Sequence, residues 1–284
     1  MEKKDLNKNT KTDSKNLVNI PKFTFNTNRD YKFLEKGLYS FEIDRIKYDF
    51  LFSPGEEKRL FVFFNGDFDR NKYTPPVFQR WSWASHFPGH CIYISDPSLN
   101  LCKNVGLAWY IGTKQISFTE KITMLVRKVA QITRVNEEDI VFYGSSGGGF
   151  ASLFISKNFP AALTVAINPQ IDLTRYYQNK VNDFLNELFD GFNIDDIKKY
   201  YYNRFSILEH SKELISQRII YAQNKLDKHH YNNHFKPFCK KMDLKLESGK
   251  ENNIFKILFE HPEGHKRAET PEVFKEIMNY VINT

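Results

Sequence analysis

Cysteine is scarce in this 284-residue chain, with only Cys91, Cys102 and Cys239. Their number is odd and none is spaced C-x-x-C, which excludes a disulfide framework and a cysteine-built zinc site and fits thiols kept reduced. No apolar run exceeds strand length, so no segment is expected to span a bilayer. The first sixteen residues are mostly Lys, Asn, Asp and Thr, without the apolar stretch of a signal peptide, and a cytoplasmic location is expected. H-E-x-x-H is absent. The glycine-rich run at 144–149 is not closed by Lys-Ser or Lys-Thr as a phosphate-cradling loop would be, and Ser146 stands where a dinucleotide fingerprint needs its second glycine. The formal net charge of +7 is concentrated at one end, with nine Lys or Arg against five Asp or Glu among the first 36 residues. No basic stripe interleaved with aromatics follows, and nucleic-acid binding is not expected.

The chain is 41% hydrophobic and 26% charged, a composition that can bury a core. Residues 38–44 and 46–53 alternate as two antiparallel strands, with a turn at Ser53-Pro54-Gly55-Glu56. Runs at 59–64, 90–95, 139–143, 162–167, 218–222 and 254–259 are apolar enough for strands buried on both faces. A helix is expected after Ser117, which is placed to cap it, with Ile122, Leu125, Val126 and Val129 at helical spacing, and another at 271–281. The segment holding Val77, Phe78, Trp81 and Trp83 is expected to be partly helical. Alternating strands and helices imply an α/β fold with a mostly parallel sheet covered on both faces. Residues 1–30 form a polar tail, expected to be loose. Residues 31–284 form one domain, with an aromatic-rich helical cap at about 171–216.

The most informative stretch is Gly144-Ser145-Ser146-Gly147-Gly148, directly after the 139–143 strand. A G-x-S-x-G sequence between a buried strand and a helix is a nucleophile elbow, a turn so sharp that the flanking positions must lack side chains. Centring it on Ser146 places Gly144 and Gly148 at the crowded positions. Centring it on Ser145 would place Tyr143 there. Ser146 is therefore the predicted nucleophile.

A serine hydroxyl needs a base, and the base an orienting acid. The order Ser, Asp, His is met by Asp227, after the 218–222 strand, and His265, after the 254–259 strand. His261 adjoins the strand end and is the weaker candidate, whereas Gly264 lets the chain turn back at His265. Asp172 is the fallback acid. Oxyanion donors are expected from Gly147 and from Gly66 or its neighbour in Asn65-Gly66-Asp67. His229, His230 and His234 crowd behind Asp227, but the sequence places no third ligand of suitable type beside His230 and His234, and no metal is expected.

Asp67, Asn71, Lys72, Trp109, Tyr110, Asn168, Gln170, Lys225 and His230 occupy the loops expected around Ser146, a polar set that suits a glycan better than a long acyl chain. Trp109, Tyr110 and His230 are the candidate substrate contacts. Packing of Trp109 and Tyr110 beneath the loop remains the alternative.

From about residue 59 onward the chain resembles the α/β-hydrolase superfamily. Within it the chain is similar to bacterial carbohydrate O-acetyltransferases of capsule biosynthesis. The motifs that carry this are Tyr143-Gly144-Ser145-Ser146-Gly147-Gly148, Ile167-Asn168-Pro169-Gln170, Lys225-Leu226-Asp227 with His230-Tyr231, and Glu263-Gly264-His265. The Asn65-Gly66-Asp67 loop and the stretch with Trp81, Trp83, Trp109 and Tyr110 depart from the pattern. The resemblance implies a Ser-His-Asp acyl transfer with acetyl-CoA as donor, no permanently bound cofactor, a glycan acceptor, and association with polysaccharide biosynthesis enzymes. An esterase or deacetylase would use the same triad with water as acceptor. An interaction protein of a glycan assembly is the reading from another class.

Overall fold

The computed structural model describes residues 11–13, 15, 17, 19–25 and 34–283. The strands are β1 (Lys11–Asp13), β2 (Lys22–Phe25), β3 (Gly37–Ile43), β4 (Ile46–Ser53), β5 (Glu57–Phe64), β6 (Val77–Gln79), β7 (Gly89–Ile94), β8 (Ile140–Ser145), β9 (Leu163–Ile167), β10 (Arg218–Asn224), β11 (Gly249–Glu251) and β12 (Ile254–Phe259). The helices are α1 (Thr119–Thr133), α2 (Gly147–Ser156), α3 (Gln178–Leu188), α4 (Ile194–Tyr200), α5 (Tyr202–Phe205), α6 (Ser211–Leu214), α7 (Lys228–His230), α8 (Lys236–Met242) and α9 (Pro271–Asn283).

Ten strands form one sheet in the order β11-β12-β10-β9-β8-β5-β7-β4-β3-β2. Pairing is parallel from β12 through β7, then antiparallel from β7 to β4 and β3. Alternation within single strands explains why their sequences are apolar throughout. Leu60, Val62 and Phe64 of β5 join Ile140 and Phe142 of β8 against Ile122, Val126 and Val129 of α1. Phe61, Phe63, Val141 and Tyr143 point to the other face, against Phe274, Ile277 and Val281 of α9. Both faces are buried, so neither can carry a polar periodicity. The residues between β9 and β10 form α3 to α6, whose Phe184, Phe189, Ile197 and Phe205 pack on Phe150 and Phe154 of α2. Among the described residues no helix is long and apolar enough to cross a membrane.

Two local expectations change. Ser117 does not cap α1: the cap position is Phe118, with no side-chain bond, and the Ser117 hydroxyl donates to Thr119 Oγ1 instead. The Val77 to Trp83 segment is partly helical as expected, with β6 followed by a 3-10 turn, Trp81–His86. The tail is not uniformly loose. Its residues 1–10, 14, 16, 18 and 26–30 lie outside the described residues, but β1 pairs with β6, β2 extends the main sheet, and Leu17 is buried in the core.

At the end of β8 the chain reverses into α2 with φ 56° and ψ −122° at Ser146, a conformation L-residues occupy only when their surroundings impose it. A Cβ on Gly144 would lie 2.2 Å from the Gly148 carbonyl oxygen, and one on Gly148 2.4 Å from that of Phe64. Both obstacles are backbone and cannot rotate away. Gly144→Ala is therefore expected to destabilise the protein by about 1–3 kcal/mol, measured as a lower urea midpoint; an unchanged midpoint would show that the elbow tolerates a side chain there.

Candidate active site

Ser146, Asp227 and His265 come from three loops at the carboxyl ends of β8, β10 and β12, and they meet. His265 Nε2 lies 2.9 Å from Ser146 Oγ, and His265 Nδ1 lies 2.6 Å from Asp227 Oδ2. A proton on Nδ1, donated to the carboxylate, leaves Nε2 to accept from the serine hydroxyl. Ser146 and Asp227 are buried, whereas the His265 side chain is about one-third exposed, at 34%. Ser145 turns the other way and accepts from Arg80 Nη2 at 3.0 Å.

The two later loops are held by a residue the sequence did not single out. Asn224, the last residue of β10, donates through Nδ2 to the carbonyls of His261 and Gly264, and its Oδ1 accepts from the N–H groups of Leu226 and His261. Gly264 takes φ 57°, the left-handed turn that brings the next residue back over the sheet edge. His261 contributes its backbone to this scaffold and has no contact with Ser146. Asp172, the fallback acid, is occupied elsewhere: it accepts from the Thr174 N–H and hydroxyl, from Arg175, and from the Tyr202 hydroxyl.

Gln170, expected in a loop around Ser146, bonds to the serine itself. Trp109 Nε1, which can only donate, lies 2.5 Å from Gln170 Oε1, so the amide nitrogen must face the other way, where it donates to Ser146 Oγ at 3.0 Å. This corrects the expectation for Trp109 and Tyr110. Both are fully buried: Trp109 packs edge-on against Phe184 and Tyr176, and the Tyr110 hydroxyl accepts from the Asn65 N–H and donates to the Ile94 carbonyl. They are the alternative named for them, packing beneath the loop. The aromatic surface that does reach solvent is Tyr177, 48% exposed and stacked on His229 at 4.1 Å.

Among the oxyanion candidates, Gly147 opens α2, where helix N–H groups lack intrahelical partners and favour negative charge. Gly66 lies beside the serine, since a Cβ there would be 3.8 Å from Ser146 Cβ. Its N–H, however, donates to Gln79 Oε1 at 3.0 Å. The N–H groups of Asn65 and Phe68 are also used, by Tyr110 and by the Gly106 carbonyl, which leaves that of Asp67 without a partner among the described residues. Of the two expected donors in this loop, Gly66 or its neighbour, the N–H of Asp67 is thus the one not already engaged.

His230 is fully buried and so is not a substrate contact. Its ring lies parallel to that of His265 with centroids 4.0 Å apart, and its Nδ1 donates to Asp227 Oδ1 at 3.1 Å. Donor atoms of Asp227, His230 and His265 lie within 4.8 Å of one another. The lone pairs of two parallel rings lie in two separate planes and do not converge on one point, so the set fits a shared carboxylate better than a coordinated ion. Burial alone would raise the Asp227 carboxyl, but hydrogen bonds from His230 and His265 outweigh it and hold the group well below the usual carboxylate range. A surface hollow lined by Thr119, Thr123, Arg127, Lys157 and Asn158 lies at the far end of α2 and includes none of these residues.

Burial also pushes His230 down from 6.5 to about 4, against the opposing pull of Asp227. The unfolded chain therefore takes up a proton near pH 6.5 that the folded protein refuses until about 4. This contribution to stability is complete above pH 6.5 and is lost as pH falls through that window. Asp227, lowered in the fold, acts with the same sign further down. The melting temperature should fall between pH 7 and 4, and less steeply in His230→Gln; equal slopes would show that His230 is not held neutral.

Comparisons with known proteins agree with this geometry. Residues 107–283 match the prolyl oligopeptidase family. A comparison with curated protein sequences finds no match. Among solved structures, the capsule O-acetyltransferase of Neisseria meningitidis serogroup A aligns with a TM-score of 0.62 and 16% identity, covering 87% of this chain and 96% of that one. A mutant of that enzyme in complex with CoA aligns similarly, with a TM-score of 0.59. FphF, a fluorophosphonate-binding serine hydrolase of Staphylococcus aureus, aligns with a TM-score of 0.58 and 15% identity over 86% and 97%. A chain of the glycosylation-associated Gap123 complex of Streptococcus agalactiae aligns with a TM-score of 0.56 and 14% identity over 83% and 43%. At these identities the likeness is one of fold. The family match extends over well over half of the chain and includes all three residues of the hydrogen-bonded serine, histidine and aspartate: the chain belongs to the prolyl oligopeptidase family of α/β hydrolases.

Proposed function

We propose that this protein is a serine-dependent acyl-transfer enzyme, a carbohydrate O-acetyltransferase that takes its acetyl group from acetyl-CoA. The observation that carries the reading is the continuous hydrogen-bonded line from Asp227 through His265 to Ser146 Oγ. The fold-level likeness to a capsule O-acetyltransferase along nearly the whole of both chains, and the CoA bound by that enzyme, support the choice of donor.

In the first half-reaction Ser146 Oγ attacks the thioester carbonyl carbon while His265 Nε2 takes the hydroxyl proton. The oxyanion is held by the N–H groups of Gly147 and Asp67. Collapse expels CoA as a thiol, which receives the proton from His265, and leaves acetyl-Ser146. In the second half a sugar hydroxyl gives its proton to His265 and attacks the acetyl carbonyl, restoring Ser146. Asp227 fixes the imidazole tautomer and stabilises its cation. Gln170 donates to Ser146 Oγ and orients it toward the base. Water in place of the sugar would make the same site an esterase. The exposed Tyr177, stacked on the half-buried His229, and the polar Asp67–Lys180 contact at 2.9 Å favour a sugar at the mouth.

Thiol release from acetyl-CoA, with and without candidate bacterial glycans, tests the reading. Release that accelerates with a glycan and yields an acetylated sugar is expected; glycan-independent release would assign an esterase, and cleavage of prolyl peptides alone a peptidase. Ser146→Ala should abolish turnover and labelling by a fluorophosphonate, while Ser145→Ala keeps most of both. Asp227→Asn should lower kcat by about 10⁴-fold in a folded protein, and near-normal turnover would remove Asp227 from the triad.

A further inference from the structure

His265 is the member of the site with the least support of its own. It lies in a 3-10 turn, Gly264–Arg267, whose cap residue Glu263 makes no side-chain bond to it. Upstream, Asn224 ties the loop to the end of β10. Downstream, two ties lead to the serine. The Ala268 carbonyl accepts from Asn168 Nδ2 at 3.4 Å. Four residues beyond His265, the Glu269 carboxylate accepts from Arg80 Nε at 3.0 Å and Nη2 at 2.9 Å, and its other oxygen accepts from the Tyr143 hydroxyl. Arg80 Nη2 then reaches Ser145 Oγ, one residue before Ser146. The guanidinium is also flanked by the rings of Trp83 and Tyr143, at 5.6 and 5.4 Å.

Three features separate this pair from an ordinary surface bridge. Both side chains are 4% exposed. Arg80 has φ 64° and ψ 12°, a left-handed backbone that a side-chain-bearing residue adopts only when its surroundings hold it there. Finally, its partners lie 65 and 189 residues away, in the strand of the nucleophile and the loop of the base. A buried ion pair is a weak device for stability, since apolar residues of equal volume serve as well or better, but the guanidinium fork closing on one carboxylate oxygen, with Tyr143 on the other, fixes register between segments.

We infer that Arg80 and Glu269 are positioning residues for the reaction: their buried pair, held to β8 chiefly through the Tyr143 hydroxyl and only secondarily through Ser145 Oγ, clamps the His265 loop to the strand of the Ser146 elbow and keeps Nε2 within hydrogen-bonding reach of Oγ. The inference rests on the proposed catalytic role of Ser146 and His265. Glu269→Gln removes the charge and weakens the fork, so the loop end can part from β8. A displacement of about 1 Å costs on the order of 100-fold in rate.

The test uses the full chain and counts folded sites before rates are compared. Wild-type protein that a fluorophosphonate fails to label at Ser146 would overturn the proposed function, and the clamp with it. Given labelling, Glu269→Gln should label Ser146 about 100-fold more slowly per folded molecule, with kcat for a small aryl acetate falling in parallel and KM within about 2-fold. If that variant does not fold, Arg80→Lys, which retains the charge but not the fork, is read in the same way, with an expected loss of about 10-fold. Wild-type labelling per folded molecule in the variant read, or a loss confined to KM, would overturn the clamp. Failure of both variants to fold would assign the pair to stability and overturn it equally.

Discussion

The backbone at Ser146 is the constraint on which the rest depends. A residue at φ 56° and ψ −122° projects its side chain clear of the sheet and aims the start of α2 at it, so nucleophile and oxyanion donor are placed by one turn. That turn exists only because Gly144 and Gly148 leave room for the carbonyls they face. The strand before it is buried on both faces and the helix behind it is buried along its whole length, so the strain has no route by which to relax.

Electrostatics then follow from burial. Asp227 is taken out of water and compensated by two imidazoles, one facing the serine and one enclosed behind it. The enclosed His230 has no solvent to stabilise a proton and stays neutral, which lets it donate from Nδ1 without competing for positive charge with His265. Its flat face, 4.0 Å away, is a suitable neighbour for the imidazolium that forms during turnover.

What could be read in the sequence was whatever is encoded locally or in chain order. The elbow is written in five consecutive residues, and Asp227 and His265 follow from their places after successive strands. The residues that complete the site are not encoded that way. Asn224 and Arg80 are common polar residues whose partners lie tens of residues distant, and only the folded sheet edge brings them together; Gln170 was expected in a nearby loop, but its bond to Ser146 Oγ is seen only in the fold. Trp109 and Tyr110 show the opposite failure. Their composition suggested an exposed sugar platform, yet both take positive φ and turn inward, one to orient Gln170 and the other to staple the end of β5. Nor can the sequence show that Gln79 already engages the Gly66 N–H, which leaves its neighbour Asp67 as the donor proposed for this loop.

Peptide mapping by mass spectrometry after brief incubation with acetyl-CoA in the absence of acceptor is the most direct measurement. A single acetyl group on Ser146, discharged on adding a glycan acceptor and absent from His265→Ala, is the expected result. Acetylation of Ser145, or no acetylated serine in a protein that still turns over acetyl-CoA, would contradict a mechanism through Ser146.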